Sequence, residues 1–351
     1  MKKFVTMAML TGALLTSAFL ATGCATQSEE STIHVFNWGN YMNMDAVRLF
    51  EEEYNIRVIY STFDSNEMMY TNVAMGGNVY DVLFPSDYMI YRMIAEDLLR
   101  PINWGNVPNI VNIEPRFMNL QFDPDNTFSA PYKWGTVGIL YNTTMVNSNI
   151  NSWASLWNPD YANMIFMYNS ERDSMAVALK FLGYSLNSTN QAEIDRARDL
   201  LIEQRPLVRA YVTDEVKDHM IAGEAALAVV YSGDAVFTQM FNPDLNFVIP
   251  IEGSNLWVDS MVIPHNATNP EGAEAFINFM LRPDIAALNT NYIGYTTANA
   301  AALEMGLVDE DLINKPGFNV TDEEYQRLEV FIDLGDFREV YTRAFTTVLG
   351  S

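Results

Sequence analysis

Histidine, cysteine and basic residues are all scarce in this sequence. The three histidines, His34, His219 and His265, stand alone, and none makes an H-x-H or H-E-x-x-H spacing, which argues against a histidine-based zinc site. One cysteine, Cys24, excludes an intrachain disulfide and a thiolate metal cluster. Lysine and arginine number 20 against 44 acids, a formal charge of −24. That balance argues against nucleic acid as a partner and permits a cationic ligand, although acidic surfaces mostly serve solubility. A G-x-S-x-G elbow, a P-loop, an internal repeat and a low-complexity segment are all missing, and no cofactor motif is present. Paired acids are too numerous for a glycosidase-like acid/base pair to be excluded, so a secreted hydrolase stays open as the minority alternative.

The N-terminus reads as an export signal. Lys2-Lys3 is a positive n-region, Phe4 to Leu20 is apolar and rich in small residues, and Leu20-Ala21-Thr22-Gly23-Cys24 ends it. Without the two lysines the balance is 18 basic against 44 acidic residues. The stretch resembles a bacterial lipoprotein signal over residues 1–23, with Cys24 as the lipidated residue and 24–31 as a polar tether. Ala21 departs from the usual Leu. An uncleaved anchor, or an ordinary secretory signal with an incidental Cys, is the alternative. Beyond it no apolar run approaches the roughly 20 residues of a spanning helix.

At 351 residues two lobes are the natural expectation. Thr32 to Trp38, Arg57 to Ser61 and Asp81 to Pro85 read as strands, separated by helices from Asp45 to Asn55 and from Ser65 to a stop at Gly76-Gly77. A third helix follows Ser86 and runs through Ala95. Such alternation implies an α/β fold, a parallel sheet with helices on its faces. Five prolines punctuate residues 101–131. Trp134 to Asn142 then reads as a strand on which the chain crosses to a second lobe. That lobe alternates strands at 165–167, 208–211, 225–231 and 247–250 with helices at 173–182, 192–205 and 215–222. Asn255 to Pro264 is a strand returning to the first lobe, Asn269-Pro270-Glu271 opens another helix, and Asp322 to Leu349 reads as an amphipathic helical tail.

Ligands of open α/β sheets sit beyond the carboxyl ends of the strands. Trp38, Tyr41, Ser86 and Tyr88 fall there. Trp257 and Asp259, two residues apart on a strand, leave from one face and offer an aromatic wall beside a carboxylate, a surface suited to a cation with a hydrocarbon stem. For that pair alone, a core Trp beside a turn-capping Asp is the simpler reading. Aromatics with acids recur, however, at Asp173, Tyr231/Asp234 and Tyr295, from both expected lobes, as in a cleft that closes on its ligand. A sugar or another small solute would also suit such a surface.

The motifs Phe36-Asn37-Trp38-Gly39-Asn40-Tyr41, Tyr80-Asp81-Val82-Leu83-Phe84-Pro85-Ser86 and Pro131-Tyr132-Lys133-Trp134-Gly135-Thr136 occur in order with Tyr231-Ser232-Gly233-Asp234, Leu256-Trp257-Val258-Asp259-Ser260 and Ile293-Gly294-Tyr295. From about residue 32 onward the chain resembles the spermidine/putrescine-binding proteins of bacterial ABC importers, in particular lipoprotein forms from Gram-positive bacteria. The resemblance implies a two-lobed periplasmic-binding-protein fold of the second type, each lobe a sheet flanked by helices, with a central cleft. Lobe 1 would comprise 32–134 and 257–303, lobe 2 135–256 and 304–351. It further implies a monomer outside the cytoplasm, lipid-anchored to the membrane's outer face (periplasmic in a Gram-negative cell), with permease subunits as partners.

By the same resemblance Trp38, Tyr41, Tyr88, Tyr231, Trp257 and Tyr295 would form an aromatic box, with Ser86 and Thr213 at its edges. Asp259 would be the principal carboxylate, and Asp173 and Asp234 further acids. A buried ammonium costs several kcal/mol unless paired, so spaced acids can measure the distance between amines. Aromatic faces would add about 0.5–2 kcal/mol each. The sequence departs from the spermidine-favouring pattern at Ser170 and Asn40, where acids are common, at Tyr231 for Trp, and at Phe331 for a polar residue. Those changes weaken the hold on a third amine, Glu171 lies near enough to compensate for Ser170, and putrescine and spermidine both stay open. Transport receptor and sensor are not distinguished by sequence.

Overall fold

The computed structural model describes residues 31–76 and 79–351; the export signal, Cys24, most of the tether and Gly77 lie outside these. From Ser31 the chain alternates as expected: β1 (Ser31–Trp38), α1 (Met44–Tyr54), β2 (Ile56–Phe63), α2 (Asn66–Ala74), β3 (Val82–Leu83) and α3 (Asp87–Ala95). Local chemistry sets the boundaries. Asn43 accepts the Asp45 amide and Ser65 the Met68 amide as N-caps, and Asn55 ends α1 in the left-handed region at φ 51°. Ser86 holds the N-cap position of α3 without capping it, which leaves its hydroxyl for other work.

After three short 3₁₀ turns between Trp104 and Phe117 comes β4 (Ser129–Asn142). It starts five residues before the strand expected from sequence. The second half runs β5 (Ile165–Tyr168), α4 (Glu171–Phe181), α5 (Gln191–Gln204), β6 (Val208–Val212), α6 (Val216–Ile221), β7 (Leu227–Tyr231), α7 (Ser232–Phe241) and β8 (Leu245–Val248). The sequence reading missed α7, because Ser232-Gly233-Asp234 reads as the turn that ends β7 rather than as the first turn of a helix. Next come β9 (Ser254–Val262), α8 (Pro270–Met280) and α9 (Pro283–Ile293), then the short helices α10 (Ala300–Glu304), α11 (Glu310–Ile313) and α12 (Asp322–Tyr325). The expected continuous helical tail is corrected: α12 is one turn, β10 (Leu328–Val330) pairs in parallel with β9, and only α13 (Arg338–Leu349) is a full helix. Extended pairing of Leu328 to Val330 with the buried β9 overrides the helical pattern around them.

The strands order as β2-β1-β3-β9-β4-β7-β5-β6. Two parallel sets, β1 with β2 and β3 and β5 with β6 and β7, flank two long strands, β4 and β9, that run antiparallel to each other and to β7, β8 and β3; only β10 joins β9 in parallel among the described residues. The expectation of parallel sheets therefore holds on each side and fails in the middle. β4 and β9 pass between the two sides instead of closing a strand–helix–strand unit. Covered on both faces, β9 is buried at all nine positions, which accounts for its lack of polar alternation.

Two main apolar cores result. One draws on residues 33–134 and 256–298, the other on 137–249 and 334–348. A smaller cluster joins Val236 of α7 to Ala286 and Ala287 of α9 and to Phe318. Each main core has its own sheet and helices, a two-lobed α/β architecture. Among the described residues no helix is long and apolar enough to cross a membrane.

Candidate functional site

Where the two sides meet, four aromatic rings follow one another edge to face or tilted: Tyr41 to Tyr295 at 5.4 Å, Tyr295 to Trp257 at 5.6 Å, and Trp257 to Tyr231 at 6.0 Å between centroids. Two glycines admit this row. A Cβ on Gly135 would fall within the Trp257 indole, and one on Gly233 within the Tyr295 ring. Here lack of a side chain is a packing requirement rather than a conformational one.

Three tyrosine hydroxyls each hold one buried acid. Tyr41 donates to Asp259 Oδ2 at 2.8 Å, Tyr231 to Asp173 Oδ2 at 2.7 Å, and Tyr295 to Asp234 Oδ1 at 2.8 Å. Asp259 stands on β9, Asp173 in the first turn of α4 and Asp234 in the first turn of α7. Ser170 caps α4 and also donates to Asp173 Oδ2 at 2.6 Å. Ser86 bridges to Asp259 through the backbone, and its hydroxyl accepts from the Asn66 side-chain amide at 3.1 Å.

The acids are not equally satisfied. Asp259 Oδ1 and Asp173 Oδ1 are buried without a hydrogen-bond partner, as is the indole Nε1 of Trp257. Asp259 is 6% exposed and Asp173 5%. Buried polar atoms are nearly always paired, so two orphaned carboxylate oxygens beside one aromatic row point to a cationic ligand. Burial pushes Asp259 up to about 6, against the opposing bonds from Ser86 and Tyr41. It also raises Asp173, against the bonds from Ser170 and Tyr231.

Other expected residues lie at the rim or apart. Trp38 donates its indole N–H to the Phe84 carbonyl at 2.8 Å and packs on Phe63. Tyr88 donates to Glu67 at 3.0 Å and packs against the cluster of Ala176, Leu186 and Phe331. Thr213 is exposed and donates to Glu215 at 2.7 Å. Asn40 is exposed in a left-handed turn at φ 51°. Phe331 is buried beneath the Arg172 guanidinium, which lies 4.2 Å from its ring centroid.

Several neighbours escaped the sequence reading. Tyr168 donates to Asp234 Oδ2 at 2.7 Å, Tyr132 packs against Tyr41, and Asn66 donates to both Ser86 and Tyr88 at 3.1 Å. Tyr168 ends β5, so the strand-end rule would have found it. Lys217, 3.5 Å from Asp234, sits on a helix with no pattern to mark it. Among the described residues no group of three or more His, Cys, Asp or Glu side chains is placed to hold a metal ion.

A family model for bacterial extracellular solute-binding proteins matches residues 45–318. The chain belongs to that family. Among curated relatives, the spermidine/putrescine-binding periplasmic protein of Salmonella typhimurium is 35% identical over 332 residues, 93% of this chain and 95% of that protein. The putrescine-binding periplasmic protein SpuD of Pseudomonas aeruginosa is 30% identical, covering 95% of this chain and 96% of its own. A solved structure, the spermidine/putrescine ABC transporter substrate-binding protein PotD from Streptococcus pneumoniae, superposes with a TM-score of 0.82 at 40% identity, covering 91% of this chain and 98% of that one. The fold is thus that of a two-lobed periplasmic binding protein of the second type.

Proposed function

We propose that this solute-binding protein is the extracytoplasmic receptor of an ABC importer for a linear polyamine, putrescine or spermidine. The observation that carries the reading is the pair of buried carboxylate oxygens, on Asp259 and Asp173, left without donors beside the row Tyr41, Tyr295, Trp257 and Tyr231. An ammonium on each acid satisfies both, and the methylenes between them lie against aromatic faces at roughly 0.8 kcal/mol per buried CH₂. The names of the relatives support the same ligand class.

The remaining features follow as parts of that proposal. Lobe 1 comprises 32–134 and 257–303, lobe 2 135–256 and 304–351; Asp259 then belongs to the first and Asp173 to the second. A diamine bridging them favours the closed form over the open one, which is the differential interaction that hinge closure requires. A lipid on Cys24 tethers a monomer at the outer face of the membrane, where it delivers its load to the permease without chemical turnover.

Isothermal titration of the protein lacking residues 1–23, stripped of ligand by unfolding and refolding, tests the reading with putrescine, spermidine, spermine and a maltooligosaccharide. One-to-one binding of a polyamine is expected. Heat with the sugar alone overturns the ligand class while leaving the family intact.

A further inference from the structure

Asp234 differs from its two companions in one respect: its charge is already answered. Its carboxylate accepts Tyr168 on Oδ2 and Tyr295 on Oδ1, and the Lys217 ammonium stands 3.5 Å from Oδ1. Asp234 is 2% exposed, and neither of its oxygens is orphaned. Lys217 is pinned from the other side by Asp214 at 3.7 Å. Burial pulls its ammonium down, but Asp234 and Asp214 more than offset this and keep it charged. At the far edge Arg172 lies over Phe331 and donates to the Ile332 carbonyl and to Asn187, making no ion pair with Asp173. Fixed cations thus stand beside two of the three acids, Lys217 at Asp234 and Arg172 near Asp173.

We infer that Lys217 is a specificity-determining residue: by occupying Asp234 it leaves two anionic stations, Asp173 and Asp259, and so fits the cleft to a diamine rather than a triamine. The inference rests on the polyamine reading above. A third ligand ammonium would have to displace a tethered one that carries no association cost of its own, or stay unpaired near Arg172, where like charge opposes it. Removing Lys217 restores Asp234 as a third station.

The test is titration of wild type, Lys217→Met, Lys217→Gln and Lys217→Met/Asp234→Asn with putrescine and with spermidine, at one salt concentration. The lost positive charge strengthens binding of every cation, so the ratio of the two affinities is the readout. Wild type is expected to prefer putrescine. Both single variants are expected to shift the ratio toward spermidine at least tenfold, about 1.4 kcal/mol, and the double variant to reverse that shift. A ratio that stays within about threefold of wild type in the single variants, while both amines still bind, overturns the inference alone. Binding of neither amine by wild type overturns the polyamine reading instead. The glutamine variant keeps a polar tip toward Asp234, so the question is answered even where methionine is not tolerated.

Discussion

Tyr41 donates its hydroxyl to one oxygen of Asp259 at 2.8 Å, while the other oxygen of the same carboxylate is buried and bonded to nothing. The phenol fixes the carboxylate's rotation, so the free oxygen keeps a set direction within the aromatic row. Asp259→Asn keeps an acceptor for Tyr41 and removes the charge. Affinity for putrescine and spermidine is expected to fall at least a hundredfold, since losing one partner of a buried charge pair costs about 2–5 kcal/mol. The thermal midpoint without ligand should not fall. Titration calorimetry checks this, and an affinity within about threefold of wild type removes Asp259 from its assigned role.

Because burial lifts Asp259 to about 6, polyamine binding should depend on pH in a range where free carboxylates do not titrate. A ligand ammonium pairs with the ionised form. Affinity is expected to be flat above pH 7 and to fall below 6, with the dependence reduced in Asp259→Asn to the part that the raised Asp173 contributes. For the unliganded fold the sign is opposite. The unfolded carboxyl titrates near 3.8, so between that value and about 6 the native state holds a proton that the unfolded state has released. Asp259 therefore contributes a loss of stability as pH rises through that window. Dissociation constants and urea midpoints at pH 5, 6 and 7.5 separate the two effects.

Trp257, Asp259 and Tyr231 were legible in the sequence because they occupy a strand face or a strand end, where alternation and position carry information. Asp173 and Asp234, by contrast, lie in the first turns of α4 and α7, and Tyr295 follows α9. Trp257 and Asp259 do share one side of β9, and Tyr231 and Tyr295 meet them. What the sequence did not reveal is which acid is free. That depends on Tyr168 and Lys217, which reach Asp234 from β5 and α6, and on Ser170, the N-cap that bonds Asp173 within α4. In the fold, helices and strands with clear caps were found to within a few residues. The antiparallel middle and the short β10 were not, because long-range pairing rather than local pattern decides them, and α7 was hidden by a first turn that reads as a strand stop.

Lys133 is a buried amine with no ion-pair partner among the described residues. It is fully buried on β4, donates to the Thr290 hydroxyl at 2.5 Å, and is pulled down to about 7 by burial. Its unfolded counterpart titrates near 10.5. Between those values the unfolded state holds a proton that the native state lacks, so this residue makes stability rise with pH from about 7 to about 10.5. Lys133→Met, which keeps the stem, is expected to stabilise the fold by on the order of 2–4 kcal/mol at pH 6 and by much less at pH 10. Urea unfolding at both values checks this; equal changes at the two would show that the charge is not the cause.

Gly233 tests whether the aromatic row must keep its close packing. A Cβ at this position would meet the ring of Tyr295, whose hydroxyl reaches back to Asp234 on the same helix turn. Gly233 lies at the second position of α7, so alanine by itself favours the local backbone. The cost must therefore come from the displaced ring. Moving Tyr295 opens its contacts with both Trp257 and Tyr41 and withdraws a donor from Asp234, leaving Lys217 and Tyr168 to hold that acid. Gly233→Ala is expected to weaken polyamine binding about ten- to a hundredfold, roughly 1.4–2.8 kcal/mol, with a changed near-ultraviolet circular dichroism spectrum and little change in helix content. Gly39→Ala, where a Cβ meets nothing, is the matched control and should leave affinity unchanged. Equal affinities for the two variants would mean that the ring can step aside at no cost, and that Tyr295 contributes area rather than position.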